Sequence, residues 1–388
     1  MSPDPSNAFQ SEPEMLKCDQ MSIFEKYELT RIINAHGTFT PLGVSRSPET
    51  VRSAVGEALA DYFIIDELQQ VASSKVAQWS GADAGTVLHC ADAAITLSIA
   101  AVMTGVCQSK IASLPDTTGM RNRVVLPACH AVNYGHPVEQ AIRLAGAKPV
   151  LVGTSKGCSQ TDIDNDIAHA DTCCVLLVSS RLVGGQPVDF KAVVKAAHFH
   201  GVPVIIDGAA QDMRIEQLLS TNADLVIVSA QKYLAAPTAG LAIGRQSMID
   251  GVRAQEKGIG RAMKASKEAI IGVLAAIEER EKQDTPSWSR AQELKVIDFV
   301  QRANCLDGIK ARTRSDPTGL PFARACLKID HAPAGINAEK LVTELKSGKP
   351  SIWVMFDKTH DDEFTLELVQ ITPAEIDIIL SRLAELLT

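Results

Sequence analysis

The sequence predicts an α/β protein whose large domain is built on a mainly parallel β-sheet. Between about residues 80 and 245, short runs of valine, isoleucine and leucine alternate with amphipathic helical segments. These runs lie in "RNRVVLPACH", "AKPVLVG", "DTCCVLLVSS", "GVPVIIDGAA", "ADLVIVSAQK" and "GLAIG". Continuous apolar strands that alternate with helices indicate a sheet covered on both faces. Polar residues that follow such strands therefore meet at one edge of the sheet, where α/β proteins bind their ligands.

Composition and charge define the broad class. The chain has 388 residues, 46% hydrophobic and 22% charged, which is typical of a globular protein of two domains. Its formal net charge of −8 argues against nucleic-acid binding as the main function. No segment approaches the roughly 20 apolar residues of a membrane helix, so no membrane partner is expected. Nine cysteines without CxxC spacing predict reduced thiols in the cytoplasm and no metal site.

Four regions are predicted along the chain. Residues 1–20 lack the basic and apolar regions of a secretion signal, and we expect them to form a flexible tail. Residues 21–60 form an N-terminal segment, and residues 61–248 form the large domain. Residues 249–388 supply a linker helix and a small α+β domain.

Two helices outside the large domain are predicted from their first residues. In "SRSPETVRSAVGEALADYF" we expect Ser47 as the cap and Pro48 in the first turn. The apolar face of this helix is formed by Val51, Val55 and Leu59. In "TPAEIDIILSRLAELL" the closing helix of the chain begins at Thr372 and Pro373.

A lysine and an aspartate follow neighbouring strands at the predicted edge of the sheet. Lys232 comes just after the apolar run of "ADLVIVSAQK", and Asp207 directly follows that of "GVPVIID". A partly buried lysine has a lowered pKa and can act as a nucleophile toward an aldehyde. Pyridoxal phosphate needs such a lysine together with a carboxylate that keeps its ring nitrogen protonated. Taken alone, Lys232 could be a surface lysine and Asp207 could be a helix cap. Together, the two residues predict this cofactor.

Two further features are consistent with a phosphate site. Ser229, three residues before Lys232, can donate its hydroxyl to a phosphate. In "VLHCADAAITLSIAAVMTG" a strand turns into a helix at Cys90, Ala91 and Asp92, where free N–H groups bind anions. The charge of Asp92 opposes a phosphate unless its side chain caps the helix and points away. A well-packed core helix is the alternative interpretation of this segment.

His130 and Arg181 also end predicted strands. The imidazole of His130 could stack on a pyridine ring, although a buried structural histidine fits equally. The planar guanidinium of Arg181 could bind a carboxylate or phosphate of the substrate, or lie on the surface. Motifs of other enzyme classes are missing, since there is no GxSxG, P-loop, HExxH or GxGxxG.

With these residues placed, the chain resembles fold-type I pyridoxal-phosphate enzymes. Within them it resembles the relatives of bacterial selenocysteine synthase that include D-glucosaminate-6-phosphate ammonia-lyase. The resemblance runs from about Ile32 to the C-terminus. The segments that show it are "IINAHGTFTPLG", "DELQQVASSKVAQWSGADAGTV", "LPDTTGMRNRVVLP", "GHPVEQAIRLAGAKPVLVG", "GVPVIIDGAAQ" and "SAQKYLAAPTAGLAIGR". It implies a mainly parallel seven-stranded sheet in the large domain.

The resemblance also implies residue roles. Lys232 forms the imine with the cofactor, Asp207 holds the ring nitrogen, His130 stacks on the ring and Gln211 touches the ring hydroxyl. The phosphate lies between Ser229 and the turn formed by Cys90, Ala91 and Asp92. Active sites of this family lie between subunits, which implies a homodimer or a higher homo-oligomer. The N-terminal segment then supplies a substrate-side wall around His36, Thr38 and Arg46.

The chain departs from the family pattern at several positions. Ala230 and Gln231 stand where the family prefers glycine, and Cys90 stands where it prefers a small residue. Met355, in "PSIWVMFD", replaces a residue that is often basic. Substrate recognition is therefore expected to differ from that of relatives.

The expected reaction is that of an amino-acid lyase on a small anionic substrate. Lys232 removes the Cα proton, a β-substituent leaves, and hydrolysis of the product gives a 2-oxo acid and ammonia. The same residues fit a racemase or an aldolase. A non-catalytic binding or regulatory protein of the same fold is an alternative of another class, and a nucleotide-binding oxidoreductase is a further one.

Overall fold

The computed structural model describes residues 21–330, 334–357 and 362–387, so the predicted tail, 1–20, lies outside the described residues. Strands build two separate sheets. The strands are β1 Ile32–Ala35, β2 Ala84–Leu88, β3 Arg123–Pro127, β4 Lys148–Val152, β5 Thr172–Val178, β6 Val204–Asp207, β7 Leu225–Ser229, β8 Gly240–Gly244, β9 Ile309–Ser315, β10 Ala323–Ile329, β11 Ser351–Phe356 and β12 Glu363–Leu366.

The larger sheet has seven strands in the order β2-β8-β7-β6-β5-β3-β4. Strands β7, β6, β5, β3 and β4 run parallel, whereas β8 is antiparallel to both β7 and β2. The predicted α/β architecture and the mainly parallel seven-stranded sheet are confirmed. Parallel order brings the carboxyl ends of β5, β6 and β7 to one edge, with Val178 beside Asp207 and Asp207 beside Ile227.

Both faces of this sheet are buried, which explains the continuous apolar runs. In β7, Val226 and Val228 pack into one core, whereas Leu225 and Ile227 pack into the core on the opposite face. Each fully buried branched side chain of this kind stabilises the fold by about 1.5–3 kcal/mol. The strand is consequently a rigid support for the residues that follow it.

Helices cover both faces of the large sheet and one face of the small sheet. They are α1 Ile23–Lys26, α2 Glu49–Ala60, α3 Ile65–Ser80, α4 Ala91–Thr104, α5 Gln108–Ser113, α6 Val138–Leu144, α7 Gln160–Ile167, α8 Phe190–Phe199, α9 Ile215–Leu219, α10 Gln246–Ala254, α11 Lys267–Lys282, α12 Thr285–Ala303, α13 Ala338–Ser347 and α14 Pro373–Leu387. In the described part of the chain, none of them has the length and apolarity needed to span a membrane.

The smaller sheet joins the two ends of the chain. Its order is β1-β11-β12-β10-β9, and β1 pairs in parallel with β11. The predicted N-terminal segment therefore contributes a strand to the same sheet as the C-terminal region. This pairing holds the residues that follow β1 against the large domain, and the division of the chain at residues 60 and 248 stays a prediction.

The first predicted helix differs from expectation at its start. Pro48 precedes α2 as its boundary residue, and Ser47 does not cap it, because no side-chain cap hydrogen bond forms there. Leu59 is 58% exposed, so the apolar face of this helix is only partly covered. The closing helix begins as predicted, since Thr372 accepts a hydrogen bond from the Glu375 N–H and donates its hydroxyl to that carboxylate.

Candidate active site

Lys232 and Asp207 face one cavity at the carboxyl edge of the large sheet. This cavity, the lysine cavity, has a volume of about 270 Å³ and is also lined by Ser229, the last residue of β7. Asp207 is the last residue of β6 and is buried, whereas Lys232 is half-buried. The parallel order of β6 and β7 thus brings together two residues that are 25 positions apart.

The backbone on both sides of Lys232 is anchored by other elements. Ser45 Oγ donates to the Gln231 carbonyl at 2.6 Å, and Arg280 Nη2 donates to the Tyr233 carbonyl at 2.6 Å. The Tyr233 hydroxyl donates to Glu367 Oε2 at 3.0 Å. These bonds come from the N-terminal segment, from α11 and from the residue that follows β12, so Lys232 is held where the two sheets meet.

Burial and charge act on Lys232 and Asp207 in opposite directions. Burial raises the pKa of the Asp207 carboxyl, and the positive charge of Lys232 offsets part of this rise. Burial lowers the pKa of the Lys232 amine, which the charge of Asp207 partly offsets and the charge of Arg181 reinforces. The Ala209 N–H donates to Asp207 Oδ1 at 3.0 Å and fixes the orientation of the carboxylate.

The N-terminus of α4 forms the opposite wall of the lysine cavity. Cys90, Ala91 and Asp92 line it, and the Ala93 N–H donates to the Cys90 sulfur at 3.4 Å. The first N–H groups of any helix have no carbonyl partner within the helix, so this wall presents donors to an anion. Gly240 packs against the turn, where a Cβ atom would lie 2.3 Å from the Cys90 carbonyl carbon. Only glycine lets β8 approach so closely.

Asp92 has two side-chain partners that the sequence did not indicate. The Tyr134 hydroxyl donates to Asp92 Oδ1 at 2.8 Å, and His136 Nε2 lies 3.5 Å from the same oxygen. Tyr134 and His136 also line the lysine cavity. Their loop follows β3 without an apolar run or charge pattern, so only the tertiary structure brings them to Asp92.

A second cavity of about 460 Å³, the outer cavity, shares Lys232 and Tyr134 with the first. It is lined by three predicted substrate-side residues, His36, Thr38 and Arg181. The His36 ring stacks on Phe39 with centroids 4.0 Å apart. Burial and the nearby charge of Arg181 lower the pKa of His36 to about 4, so this imidazole is neutral at pH 7.

Comparison with known proteins identifies the family to which this chain belongs. The model of the family described as "Beta-eliminating lyase" matches residues 73–306. The chain belongs to the beta-eliminating lyase family. It is 30% identical over 365 residues to the D-glucosaminate-6-phosphate ammonia lyase of Salmonella typhimurium, covering 94% of this chain and 98% of that relative. A solved structure of D-glucosaminate-6-phosphate ammonia-lyase superposes with a TM-score of 0.85 at 30% identity and covers 95% of this chain and 98% of its own.

Two other relatives of this beta-eliminating lyase have different activities. The 5'-C-glycyluridine monooxygenase-decarboxylase of Streptomyces is 31% identical over 92% of this chain and 90% of its own length. An L-seryl-tRNA(Sec) selenium transferase of Alkaliphilus oremlandii is 23% identical over 94% of this chain and 83% of its own. The predicted resemblance is thereby confirmed: the protein is a pyridoxal-phosphate-dependent lyase of fold type I.

In this beta-eliminating lyase, His130 does not line either cavity. It is 1% exposed, its Nδ1 accepts a hydrogen bond from the Val178 N–H at 3.0 Å, and its ring lies 5.7 Å from that of Phe190. Burial lowers its pKa to about 4. The imidazole is thus bonded to β5 and does not line the cavity, and its stacking on the cofactor stays a prediction.

Gln211 and Arg46 both bond to other side chains of the protein. Gln211 is buried beside the outer cavity, where its amide donates to Thr318 at 2.9 Å and accepts from Arg214 at 2.9 Å. Its polar atoms are therefore bound within the protein rather than directed at a cofactor ring. Arg46 lies outside both cavities and forms an ion pair with Glu375 at 2.9 Å, so it anchors α14.

Arginines surround a third cavity of about 380 Å³ next to the outer one, here called the arginine cavity. Arg181 lines both, and its guanidinium contacts the sulfur of Met355. Arg324 is buried and pairs with Asp316 at 2.5 Å and with Glu367 at 2.7 Å. Arg314 is exposed and forms no ion pair within the described ranges. Arg181 and Arg314 are thus the cations available to a ligand, and the sequence indicated only the first.

Proposed function

We propose that this protein is an ammonia-lyase that converts an anionic amino acid into a 2-oxo acid and ammonia. The observation that carries this proposal is the pair formed by Asp207 and Lys232, which face one cavity from neighbouring parallel strands. The family membership and the 30% identity to an ammonia lyase over nearly the whole chain support it.

The residues of the lysine cavity fit pyridoxal phosphate. Lys232 would hold its aldehyde, Asp207 its ring nitrogen, and the N–H groups at Ala91 and Asp92 together with the Ser229 hydroxyl its phosphate. A buried carboxylate opposite a half-buried lysine is the donor set that this cofactor needs. When bound, the cofactor supplies a protonated ring that delocalises the electron pair left at Cα.

Lys232 is the proposed general base. Burial and the charge of Arg181 lower the pKa of its amine, so more of it is neutral near pH 7 than of an exposed lysine. The neutral amine takes the Cα proton, and the substituent on Cβ leaves with its bonding electrons. The released enamine then adds water and gives a 2-oxo acid and ammonia.

An anionic substrate is proposed from the charges around the outer and arginine cavities. Arg181 would bind one acidic group near Lys232, with Thr38 beside it, and Arg314 would bind a second acidic group farther out. The relative from Salmonella is named for a substrate that carries both a carboxylate and a phosphate. His36 is neutral and would contribute hydrogen bonds rather than charge.

We further infer a homodimer or a higher homo-oligomer in the cytoplasm. Tyr62 is fully exposed, and Ile64 and Ile65 beside it are 65% and 40% exposed, which is consistent with an apolar contact surface. The cysteines of the described ranges are all free thiols, which is consistent with a reducing compartment. Light scattering of the purified protein tests the first inference, because a monomer at micromolar concentration contradicts it.

The deciding experiment measures products from candidate β-hydroxy amino acids that carry a distal carboxylate or phosphate. We expect ammonia and 2-oxo acid in equal amounts, together with an absorbance band between about 300 and 500 nm that borohydride traps on Lys232. Lys232→Ala should lower the rate by at least about 10²-fold, the usual contribution of a general base. Lys195→Ala, a change on the exposed face of α8, is the matched control.

Other products would identify other reactions at the same residues. An enantiomer without ammonia indicates a racemase, and an aldehyde with a shorter amino acid indicates an aldolase. Oxygen consumption with carbon dioxide release indicates the oxidative activity of the Streptomyces relative, which is 31% identical. Full turnover by Lys232→Ala would contradict the lyase, and a protein that binds no cofactor would favour the non-catalytic alternative.

A further inference from the structure

Asp92 places a negative charge in the wall that would receive an anion. It stands in the first turn of α4 and lines the lysine cavity beside Cys90 and Ala91. A free carboxylate here would oppose a phosphate through its charge. Its contacts with Tyr134 and His136 suggest a different role for this residue. These three residues are called the Asp92 cluster below.

The Asp92 cluster joins two elements across the lysine cavity. Asp92 belongs to α4, whereas Tyr134 and His136 belong to the loop between β3 and α6. The Tyr134 hydroxyl donates to Asp92 at 2.8 Å, and His136 lies 3.5 Å from the same carboxylate oxygen. Tyr134 and His136 also meet edge to face, with centroids 4.8 Å apart. One carboxylate therefore connects both rings of the loop to the helix.

The loop is closed at its base by its own backbone. The Val138 N–H donates to the Val132 carbonyl at 3.0 Å, and Asn133 pairs with Pro137. Gly135 lies at the tip with φ +120°, a conformation that favours glycine. The base is fixed by these bonds, whereas the Tyr134 side chain is held to α4 through Asp92.

Tyr134 extends over the cavity as far as the catalytic pair. Burial raises the pKa of its hydroxyl, and the charges of Asp92 and Asp207 raise it further. Because the charges of Asp92 and Asp207 both act on its hydroxyl, Tyr134 lies between the N-terminus of α4 and the end of β6. Tyr134 lines the lysine and outer cavities, and Lys232 lines the same two.

We propose that Asp92 is a positioning residue that holds Tyr134 over the lysine cavity and so retains the cofactor. This inference rests on the proposed function, because it requires a cofactor in that cavity. In this arrangement the negative charge of Asp92 is directed to the Tyr134 hydroxyl and to His136, and the N–H groups of α4 remain available to the phosphate. The carboxylate of Asp92 thus has a structural role beside the phosphate site.

The test is the affinity of the apoprotein for pyridoxal phosphate, measured by titration of the cofactor absorbance. Tyr134→Phe removes one oxygen and should weaken binding on the order of tenfold, the value of a hydrogen bond to a charged group. Asp92→Ala should weaken it at least as much and accelerate cofactor release into a trapping solution. Asp92→Asn keeps an acceptor for the Tyr134 hydroxyl and should restore affinity close to wild type.

Further variants separate this role from a general effect of charge or folding. The double variant Asp92→Ala/Tyr134→Phe should bind no more weakly than Asp92→Ala alone, because both changes remove the same bond. Asp83→Ala removes an exposed carboxylate in the loop before β2 and is the matched control for charge. Unfolding temperatures of the apoproteins report on the fold, and Tyr134→Phe alone decides the question if Asp92→Ala does not fold.

Two results would overturn the proposal. If Asp92→Ala and Asp92→Asn both bind the cofactor more tightly than wild type, the charge of Asp92 opposes the phosphate and positions nothing. If Tyr134→Phe binds as wild type does, the hydroxyl does not hold the loop over the cavity. Failure of the proposed function is distinguishable: a different reaction on the same cofactor would leave these affinities unchanged, and a wrong cofactor assignment would appear as wild-type protein that binds no pyridoxal phosphate at all.

Discussion

Asp207 and Lys232 share one cavity, and each favours the charged form of the other while burial favours the neutral forms. Desolvation raises the pKa of Asp207 and lowers that of Lys232, because burial removes part of the water that would stabilise both charged forms. A further positive charge next to Asp207 would stabilise its buried carboxylate. A protonated ring nitrogen beside Asp207 would supply this charge if pyridoxal phosphate binds as proposed.

We predict that Asp207→Asn lowers kcat for ammonia release by about 10²- to 10⁴-fold at saturating cofactor, the range of a lost proton-holding group. The amide has the same shape and can still accept the Ala209 N–H, but it has no charge to keep the ring nitrogen protonated. Steady-state kinetics checks the change.

The matched control is Asp224→Asn. Asp224 is also buried, but it is paired with Arg245 at 3.1 Å, precedes β7 at the opposite end of that strand and lies in neither cavity. This variant should lower the free energy of unfolding and change kcat little. A kcat for Asp207→Asn within tenfold of wild type would contradict the role of Asp207.

The strands and the residues that end them are predictable because each depends on a local pattern. The buried run of β6 ends in Asp207, and that of β7 ends three residues before Lys232. Parallel order then brings the two side chains to one edge without further information. The α4 wall is predictable for the same reason, since a strand that turns into a helix presents N–H groups wherever it occurs.

Partners that come from distant elements are not predictable in this way. Tyr134 and His136 lie in a loop without periodicity, and their contact with Asp92 depends on how that loop folds back. His130 was assigned to the site from its position at a strand end, and Arg46 was assigned from the resemblance to the family. The direction of a side chain depends on neighbours that only the tertiary structure supplies, here Glu375 for Arg46 and Val178 for His130.

Arg314 should determine substrate affinity. We predict that Arg314→Ala raises KM for an amino acid with a distal acidic group about tenfold or more and changes kcat little. The reason is that Arg314 lines the arginine cavity, has no ion-pair partner in the described residues and lines neither of the cavities that Lys232 lines. Lys310→Ala, on the same strand and paired with Asp330, is the matched control. An unchanged KM would mean that the acidic group binds elsewhere.

Arg324 should stabilise the junction of the two sheets rather than bind substrate. It is 5% exposed and pairs with Asp316 and Glu367, and Glu367 also accepts from Tyr233 next to Lys232. Arg324→Met leaves two buried carboxylates without a cation, and we expect the free energy of unfolding to fall by about 3–5 kcal/mol. Urea denaturation measures this. Arg302→Met breaks an exposed pair with Asp377 and should change it by less than about 1 kcal/mol.

His130 should make the protein sensitive to acid. Its folded pKa of about 4 lies below the ordinary value of 6.5, so the unfolded chain binds more protons between these pH values. The stability from the neutral imidazole is therefore complete above pH 6.5 and is lost as the pH falls toward 4. The expected loss is on the order of 3 kcal/mol from a shift of this size.

We predict that His130→Asn reduces this loss between pH 6.5 and 4 and leaves cofactor affinity unchanged. Asparagine can accept the Val178 N–H in place of Nδ1, but it does not titrate. Unfolding free energies across this pH range provide the measurement, and His200→Asn, an exposed histidine at the end of α8, is the control. A weaker cofactor affinity for His130→Asn, with an unchanged dependence of stability on pH, would instead indicate that His130 contributes to the cofactor site.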